Sequence, residues 1–406
     1  MRPFLLVSCV TALAIAPPVV APVGVAQQPD AITIRAARVL DGRGKVLTNA
    51  VVEIRGSKIV AVDQRKTAVT HDLGDVTLMP GMIDVHTHVE LHVQPNGTNG
   101  DRPGEPRETP AQRDAAIAEN LKATLMAGFT TVQDVGDDVN KALKERVAAG
   151  QIVGPRILTS LDPISSGTPL ELREHVRRLK ENGADLIKVG ASESLRAGGA
   201  PTMTQEQLDA VCGEAKAQGL RTLVHAHANE AIIRAVKAGC TQVEHGTYAS
   251  DEALALMRDR GVFFTPNFGL VLQTYIENKD RFLGSGNYND EGFAFMAKTV
   301  GIKIVMFKRA LKSGVTMLLG TDAGAGAHGQ NAREIIARVE EGQAPMDGII
   351  SATSLAAETM GLGKLIGTLG PGFEADLIAV GGDPTKEIAK LRDVRFVMRA
   401  GIVYKG

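Results

Sequence analysis

The chain carries no tryptophan, only three cysteines in 406 residues, 4% aromatic side chains and a formal charge of −1. Each scarcity excludes something. Cys9 lies in the apolar N-terminal stretch, which leaves Cys212 and Cys240, too few for a disulfide framework. Both read foremost as small buried thiols, Cys212 in an expected helix and Cys240 beside a strand start, with a single disulfide between them as the alternative. A near-neutral charge with no dense Lys/Arg cluster leaves no phosphate-binding face, so nucleic acid is not an expected partner. Past residue 26 no apolar run approaches the length of a membrane span, so no membrane association is expected after leader removal.

The leader itself is present in outline. Arg2, an apolar stretch from Phe4 to about Ala16 and the small residues Gly24-Val25-Ala26 before Gln27 follow the pattern of a secretory signal peptide. The expectation is a signal peptide over residues 1–26 and a periplasmic or secreted mature protein. The sequence Leu6-Val7-Ser8-Cys9 resembles a lipoprotein processing site, but most of the apolar stretch follows Cys9.

Residues 31–79 alternate short β-rich pieces with turns at Asp41-Gly42 and Arg55-Gly56. A similar texture returns in Ala375–Val380, Val394–Met398 and Gly401–Val403. A lone sheet of about 50 residues buries little surface, so the two ends are expected to join in one composite β-domain, residues 27–80 with 366–406. Between them, over 81–365, the pattern is strand, loop, helix, repeated. Candidate strands are 82–86, 129–134, 155–159, 184–189, 221–225, 240–244, 262–266 and 315–320. Amphipathic segments at 114–127, 171–182, 205–218 and 229–238 separate several of them, each followed by a glycine suited to the left-handed helix stop. The expected fold is α/β, a (β/α)8 TIM barrel with a small β-sandwich-like domain built from both termini.

Polar chemistry gathers where these strands end. His86 and His88, one residue apart, point to the same side of a strand. His225 and His227 repeat the arrangement, His245 follows Thr241-Gln242-Val243-Glu244, and Asp322 ends Leu318-Leu319-Gly320-Thr321. A barrel brings the C-terminal ends of many strands around one axis, so these residues read as a metal centre. Spacing alone does not decide between His225 and His227 as ligands. Lys188 closes Ala184-Asp185-Leu186-Ile187, where a buried ammonium is costly. A salt bridge is the default reading; a carbamate formed with carbon dioxide is the alternative beside two metals.

Taken together, Pro80-Gly81-Met82-Ile83-Asp84-Val85-His86-Thr87-His88, Gly128-Phe129-Thr130-Thr131-Val132, Ile187-Lys188-Val189, His225-Ala226-His227, Glu244-His245-Gly246, Gly320-Thr321-Asp322 and Glu374-Ala375-Asp376-Leu377 resemble the amidohydrolase superfamily. The resemblance is to its imidazolonepropionase-like and prolidase-like metal-dependent hydrolases, which include Xaa-Xaa carboxypeptidases and ochratoxinase-type amidases, and it spans nearly the whole mature chain. It implies two divalent metal ions, most often Zn2+. His86, His88 and Asp322 would hold one ion and His225 and His245 the other, with N6-carboxylated Lys188 and a hydroxide bridging them. His227 would contact substrate or orient a neighbour. The implied reaction is hydrolysis of an amide or peptide bond next to a free carboxylate, in dipeptides, N-acyl amino acids or ochratoxin-like amides, with Asp322 shuttling the proton. A lactonase, esterase or phosphotriesterase on the same barrel is the alternative. One departure is the stretch Pro155 to Gly167, where relatives often carry a Gly/His-rich segment and this chain has no histidine.

Further site candidates are His328 and Tyr248 as substrate contacts. Two long loops, 89–110 and 267–300, are expected over the site. The first carries Arg102 and Arg107, read foremost as solvated residues and alternatively as contacts for a substrate carboxylate. The second carries Phe268, Tyr275, Phe282, Tyr288, Phe293 and Phe295, read equally as lid and as packing on the barrel rim or on another subunit. A small-molecule amide or dipeptide is the expected partner, and the family resemblance adds a homo-oligomer.

Overall fold

The computed structural model describes residues 31–64, 68–98, 107–137, 139–285 and 287–406. The expected signal peptide and Arg102 lie outside these residues. The N-terminal strands are β1 (Ile32–Leu40), β2 (Val46–Arg55), β3 (Lys58–Asp63), β4 (His71–Asp72) and β5 (Val76–Pro80). Seven parallel strands follow: β6 (Met82–Thr87), β7 (Phe129–Asp134), β8 (Arg156–Thr159), β9 (Leu186–Gly190), β10 (Arg221–Ala226), β11 (Gln242–His245) and β12 (Phe263–Thr265). The chain ends in β13 (Leu377–Gly381), β14 (Val394–Arg399) and β15 (Ile402–Lys405).

The terminal strands form one mixed sheet in the order β15-β14-β13-β5-β1-β2-β3, with β4 paired to β1. The join is β5 against β13, antiparallel from Leu377 opposite Pro80 to Gly381 opposite Val76. Ile34, Val52, Ile54, Leu78, Leu377, Ala379 and Phe396, contributed from both ends of the sequence, make one buried cluster on this sheet. Neither end could bury those side chains alone.

The barrel is distorted. Its parallel strands fall into the runs β6-β7-β8 and β9-β10-β11-β12. The first seam, between β8 and β9, is made by the Asp185 amide on the Thr159 carbonyl and by residue 164 pairing with Val189. The second corresponds to the strand expected at 315–320. No regular strand forms there, which corrects that expectation. Residues 316–323 instead divide their backbone bonds between both neighbours: Phe264 pairs with Met317, Thr87 with Ala323, and the Val85 amide reaches the Leu319 carbonyl. Gly320 permits this close passage, because a Cβ there would lie 3.0 Å from both His86 Cβ and Thr265 Cγ2.

Helix Pro169–Glu181 illustrates how the sequence builds the outer layer. Thr168 caps it and Glu171 reaches back to complete the capping box, with Pro169 at the first helical position. Leu172, Val176 and Leu179, spaced four and three apart, are the face buried against the barrel. Burial of each stabilises by roughly 1.5–3 kcal/mol. Arg178 and Lys180 lie in the last turn, and Gly183 follows with φ 92°. Glycines 128, 219 and 239 end the other expected helices in the same left-handed conformation.

Cys212 and Cys240 are not free thiols. They form a disulfide between helix Gln205–Ala217 and the approach to β11, with Cα atoms 5.1 Å apart. Helical and strand context marks both as buried, but only the packing of these two elements brings their Cβ atoms within bonding range.

Candidate metal centre

Along β10, alternation sends Arg221, Leu223 and His225 into the barrel, and Lys188 of β9 pairs in register with Leu223. The lysine and the histidine therefore face the same interior. On β6 the same rule turns His86 inward, with His88 following just past the strand end. His245 and Asp322 depart from regular strand geometry, with φ values of 69° and 58°. Left-handed backbone at a non-glycine residue is strained and persists where its surroundings fix it. Here the Asn267 side chain accepts from the His245 amide (3.2 Å), and the His86 carbonyl accepts from the Asp322 amide (2.8 Å).

Two donor clusters result. His86, His88 and Asp322 form one, and His225, His227 and His245 the other; within each, the ligand atoms lie within 4.8 Å of one another. The Asp322 carboxylate is 3.3 Å from His86 Nε2 and 3.2 Å from His88 Nε2. In the second cluster the His225 and His245 ring centroids are 4.5 Å apart and those of His227 and His245 4.8 Å. The rings of His86 and His245, one from each cluster, stand 5.5 Å apart. Lys188 Nζ lies 3.0 Å from His86 Nε2, and its charge acts on His225 as well, so it sits between the clusters.

The donor set fits two divalent cations. Burial holds His225, His227 and His245 below the ordinary imidazole range, His225 at about 4, so all three are neutral at neutral pH, with lone pairs free to bind a cation. His86 presents Nε2 to the interior because Nδ1 is engaged by Glu244 Oε2 at 2.6 Å. A carboxylate behind a histidine fixes its orientation and raises its basicity as a ligand. Burial likewise lowers Lys188, and the nearby Glu244 and Asp322 carboxylates only partly oppose this. Despite its own burial, Asp322 is held far below the usual carboxylate range by His86, His88 and Lys188.

His227 lies within the second cluster, with Tyr248 and His328 outside both. His227 Nδ1 meets Thr247 Oγ1 at 2.8 Å, and Gly199 packs so close that a Cβ there would be 2.7 Å from His227 Cβ. His328 approaches the Leu91 carbonyl through Nε2 (3.0 Å), while its buried Nδ1 has no partner. The Tyr248 amide donates to the His227 carbonyl, and its ring is packed among the apolar residues of the insertion. Tyr275, Phe282 and Tyr288 stack there with centroids 5.0–5.3 Å apart, whereas Phe268 packs on Phe307 beneath.

Residue types alone did not single out Glu244, Glu90 or Thr247, which hold the histidines from behind. Strict alternation puts Glu244 and His245 on opposite faces of β11. The left-handed turn at His245 brings it to the interior that Glu244 already faces. Glu90 Oε1 stands 3.5 Å from His88 Nδ1 and shares Asn140 with Asp134 in a buried network.

Comparison with known proteins agrees with this construction. The profile described as the amidohydrolase family matches residues 77–406. Ochratoxinase from Aspergillus niger is 28% identical over 433 aligned residues, covering 92% of this chain and 86% of that protein. A crystal structure of a Xaa-Pro dipeptidase with methionine bound in its active site superposes with a TM-score of 0.83 at 28% identity, covering 93% of this chain and 100% of that one. A prolidase complexed with N-methylphosphonate-L-proline gives 0.81 at 26% identity over the same shares of the two chains.

Proposed function

The chain belongs to the amidohydrolase family, and from that premise we propose that it hydrolyses amide or peptide bonds next to a free carboxylate, in dipeptides, N-acyl amino acids or ochratoxin-like amides. The single observation that carries a metal-dependent amide hydrolase is the pair of donor clusters joined through Lys188 and His86. The narrower substrate class is supported by the kinds of protein this chain is similar to, a dipeptidase, a prolidase seen with a proline derivative, and an ochratoxinase.

In this reading His86, His88 and Asp322 would hold one ion and His225 and His245 the other, with zinc as the metal. Lys188, N6-carboxylated, would be a further ligand. Its burial favours the neutral amine, the form that adds to carbon dioxide, and a carbamate turns a costly buried ammonium into an anionic ligand. Two divalent ions, when bound, make water acidic enough to attack near neutral pH and polarise the scissile carbonyl. Asp322, placed against His86 and His88, accepts the proton released in the attack and returns it to the departing amine. The amine must be protonated because its anion is a poor leaving group. Glu244 keeps His86 turned toward the centre throughout. His227, Tyr248 and His328 serve as substrate-contacting or orienting groups.

We extend the reading to location. The Cys212–Cys240 disulfide is in keeping with export by the expected leader, since such bonds persist in oxidising compartments.

Elemental analysis of chelator-free protein is expected to find about two transition-metal ions per chain. A screen of N-acyl amino acids and dipeptides against lactones and phosphotriesters tests the substrate. Activity confined to lactones or triesters, or full activity without bound metal, overturns the proposal.

A further inference from the structure

The loop after β9 closes over the second histidine cluster. The Glu193 carbonyl lies 3.2 Å from His225 Nε2, and Gly199 rests against His227. Between these anchors Leu195–Ala197 makes one helical turn, ended by Gly198 at φ 99°. Leu195 is buried among Val271, Leu272, Phe282 and Phe293 of the insertion, which fixes the turn. Arg196, at its centre, is thereby committed to the space between the loop and the insertion.

There the guanidinium carbon stands 3.8 Å from the Tyr288 ring centroid and 5.8 Å from that of Tyr275. Arg196 Nε donates to Asn287 Oδ1 at 2.7 Å, and Asn287 Nδ2 donates to Ser194 Oγ at 3.0 Å. The plane of the group is thus set by a ring on its face and a bond at Nε. Its two terminal nitrogens are paired with no carboxylate among the described residues. An arginine oriented this way offers a two-pronged edge that matches a carboxylate.

Position relates this edge to the reaction site. The Tyr275 ring meets that of Tyr288 edge-on at 5.3 Å, and its hydroxyl would be 4.0 Å from a Cβ on Gly324, two residues beyond Asp322. Burial raises both phenols, so they remain protonated donors. Arg196 also acts electrostatically on His227. The Arg196–Tyr275–Tyr288 group therefore lies between the loop that touches His225 and His227 and the segment that follows Asp322. Two other cations near the centre are engaged elsewhere: Lys303 Nζ donates to the Asn267 carbonyl at 2.9 Å, and Arg221 bonds Gln133 beneath the clusters.

We propose that Arg196, backed by Tyr275 and Tyr288, receives the free carboxylate of the substrate and sets the preference for amides that carry one. The proposal rests on the amide-hydrolase reading and adds the group that selects within it. The sequence had directed attention to Arg102 and Arg107 of the first long loop; the geometry points to an arginine on a different one.

The test compares an N-acyl amino acid with its primary carboxamide, equal in shape but uncharged, on the metal-loaded wild type and on Arg196→Gln. The ratio of kcat/KM for acid over carboxamide is expected to fall about 10- to 100-fold, the range for a lost charge-assisted pair. Arg196→Lys, which keeps the charge but not the two-pronged edge, is expected to fall between, and serves if the glutamine variant folds poorly. An unchanged ratio, with both substrates slowed equally, means that Arg196 only staples the loop to the insertion and overturns the proposal. Calorimetric binding of L-phenylalanine and L-phenylalaninamide to the same proteins separates the two levels. Should wild type cleave lactones alone, the amide reading fails; the clamp still stands if the amino acid binds wild type more tightly than Arg196→Gln, and falls if both bind it equally.

Discussion

The two donor clusters differ in what stands behind them. Around His86, His88 and Asp322 the supports are carboxylates, Glu244 on His86 and Glu90 on His88. Around His225, His227 and His245 they are uncharged, the Glu193 carbonyl and the Thr247 hydroxyl. At His88 and His225 the consequence is opposite electrostatics, whereas burial and Lys188 lower His86 as well, against the pull of Glu244 and Asp322. Burial disfavours protonation of His88, yet its bonds to Asp322 and Glu90 outweigh that and push it up to about 10, whereas burial and the Lys188 charge bring His225 down to about 4. His88 would bind a cation by giving up a proton, the second cluster by offering lone pairs that are already free.

The largest effects test whether the clusters are separate sites. His88→Ala and His245→Ala are each expected to leave about one metal per chain and activity at background, since the proposed reaction uses both ions. Metal analysis with an activity assay checks this; two full equivalents in either variant would merge the clusters into a different ligand assignment. The charged support comes next. Glu244→Gln retains shape but removes the charge on His86, and is expected to cost about 10- to 100-fold in metal affinity or activity.

The third effect is on stability, and here His88 and His225 should pull in opposite directions. In metal-free protein the native His225 refuses a proton that the unfolded chain accepts below its ordinary pKa, so stability falls as pH drops from about 6.5 toward about 4. His86, His227 and His245 are lowered as well and add to this limb. Native His88 keeps a proton that the unfolded chain loses, so its contribution is complete below about 6.5 and disappears as pH rises through about 10. Urea unfolding of chelated protein should show a stability maximum near neutrality. His225→Gln should flatten the acid limb and His88→Gln the alkaline one; the same variant flattening both would refute the separation.

Much of this centre was legible because ligand chemistry and strand ends coincide. His86, His88, Lys188 and His225 each close an apolar run, and alternation alone turns them to one interior. The order of strands followed from glycine stops and β-rich runs, which are local signals. Three things were not local. The eighth strand position dissolved because its bonds are shared between β6 and β12, a partition that depends on how far the barrel has closed. The disulfide needed the packing of a helix on a strand approach. Glu244 as the partner of His86 joins residues 158 positions apart, across a left-handed turn that alternation does not anticipate.

The smallest effect is expected at Thr247, and it is the sharpest probe of the uncharged support. The Thr247 hydroxyl meets His227 Nδ1 at 2.8 Å, which fixes the ring while leaving the imidazole neutral. A neutral hydrogen bond of this kind contributes about 0.5–1.5 kcal/mol, against roughly twice that for one to a charged partner. Thr247→Val keeps the β-branched shape and removes only the hydroxyl, so activity should fall by about 2- to 10-fold. Because His227 is assigned to substrate and not to a metal, the loss should appear in KM for substrate with metal content intact. A fall in bound metal equal to that of Glu244→Gln would instead make His227 a ligand, and the all-imidazole cluster would then hold its ion with three histidines.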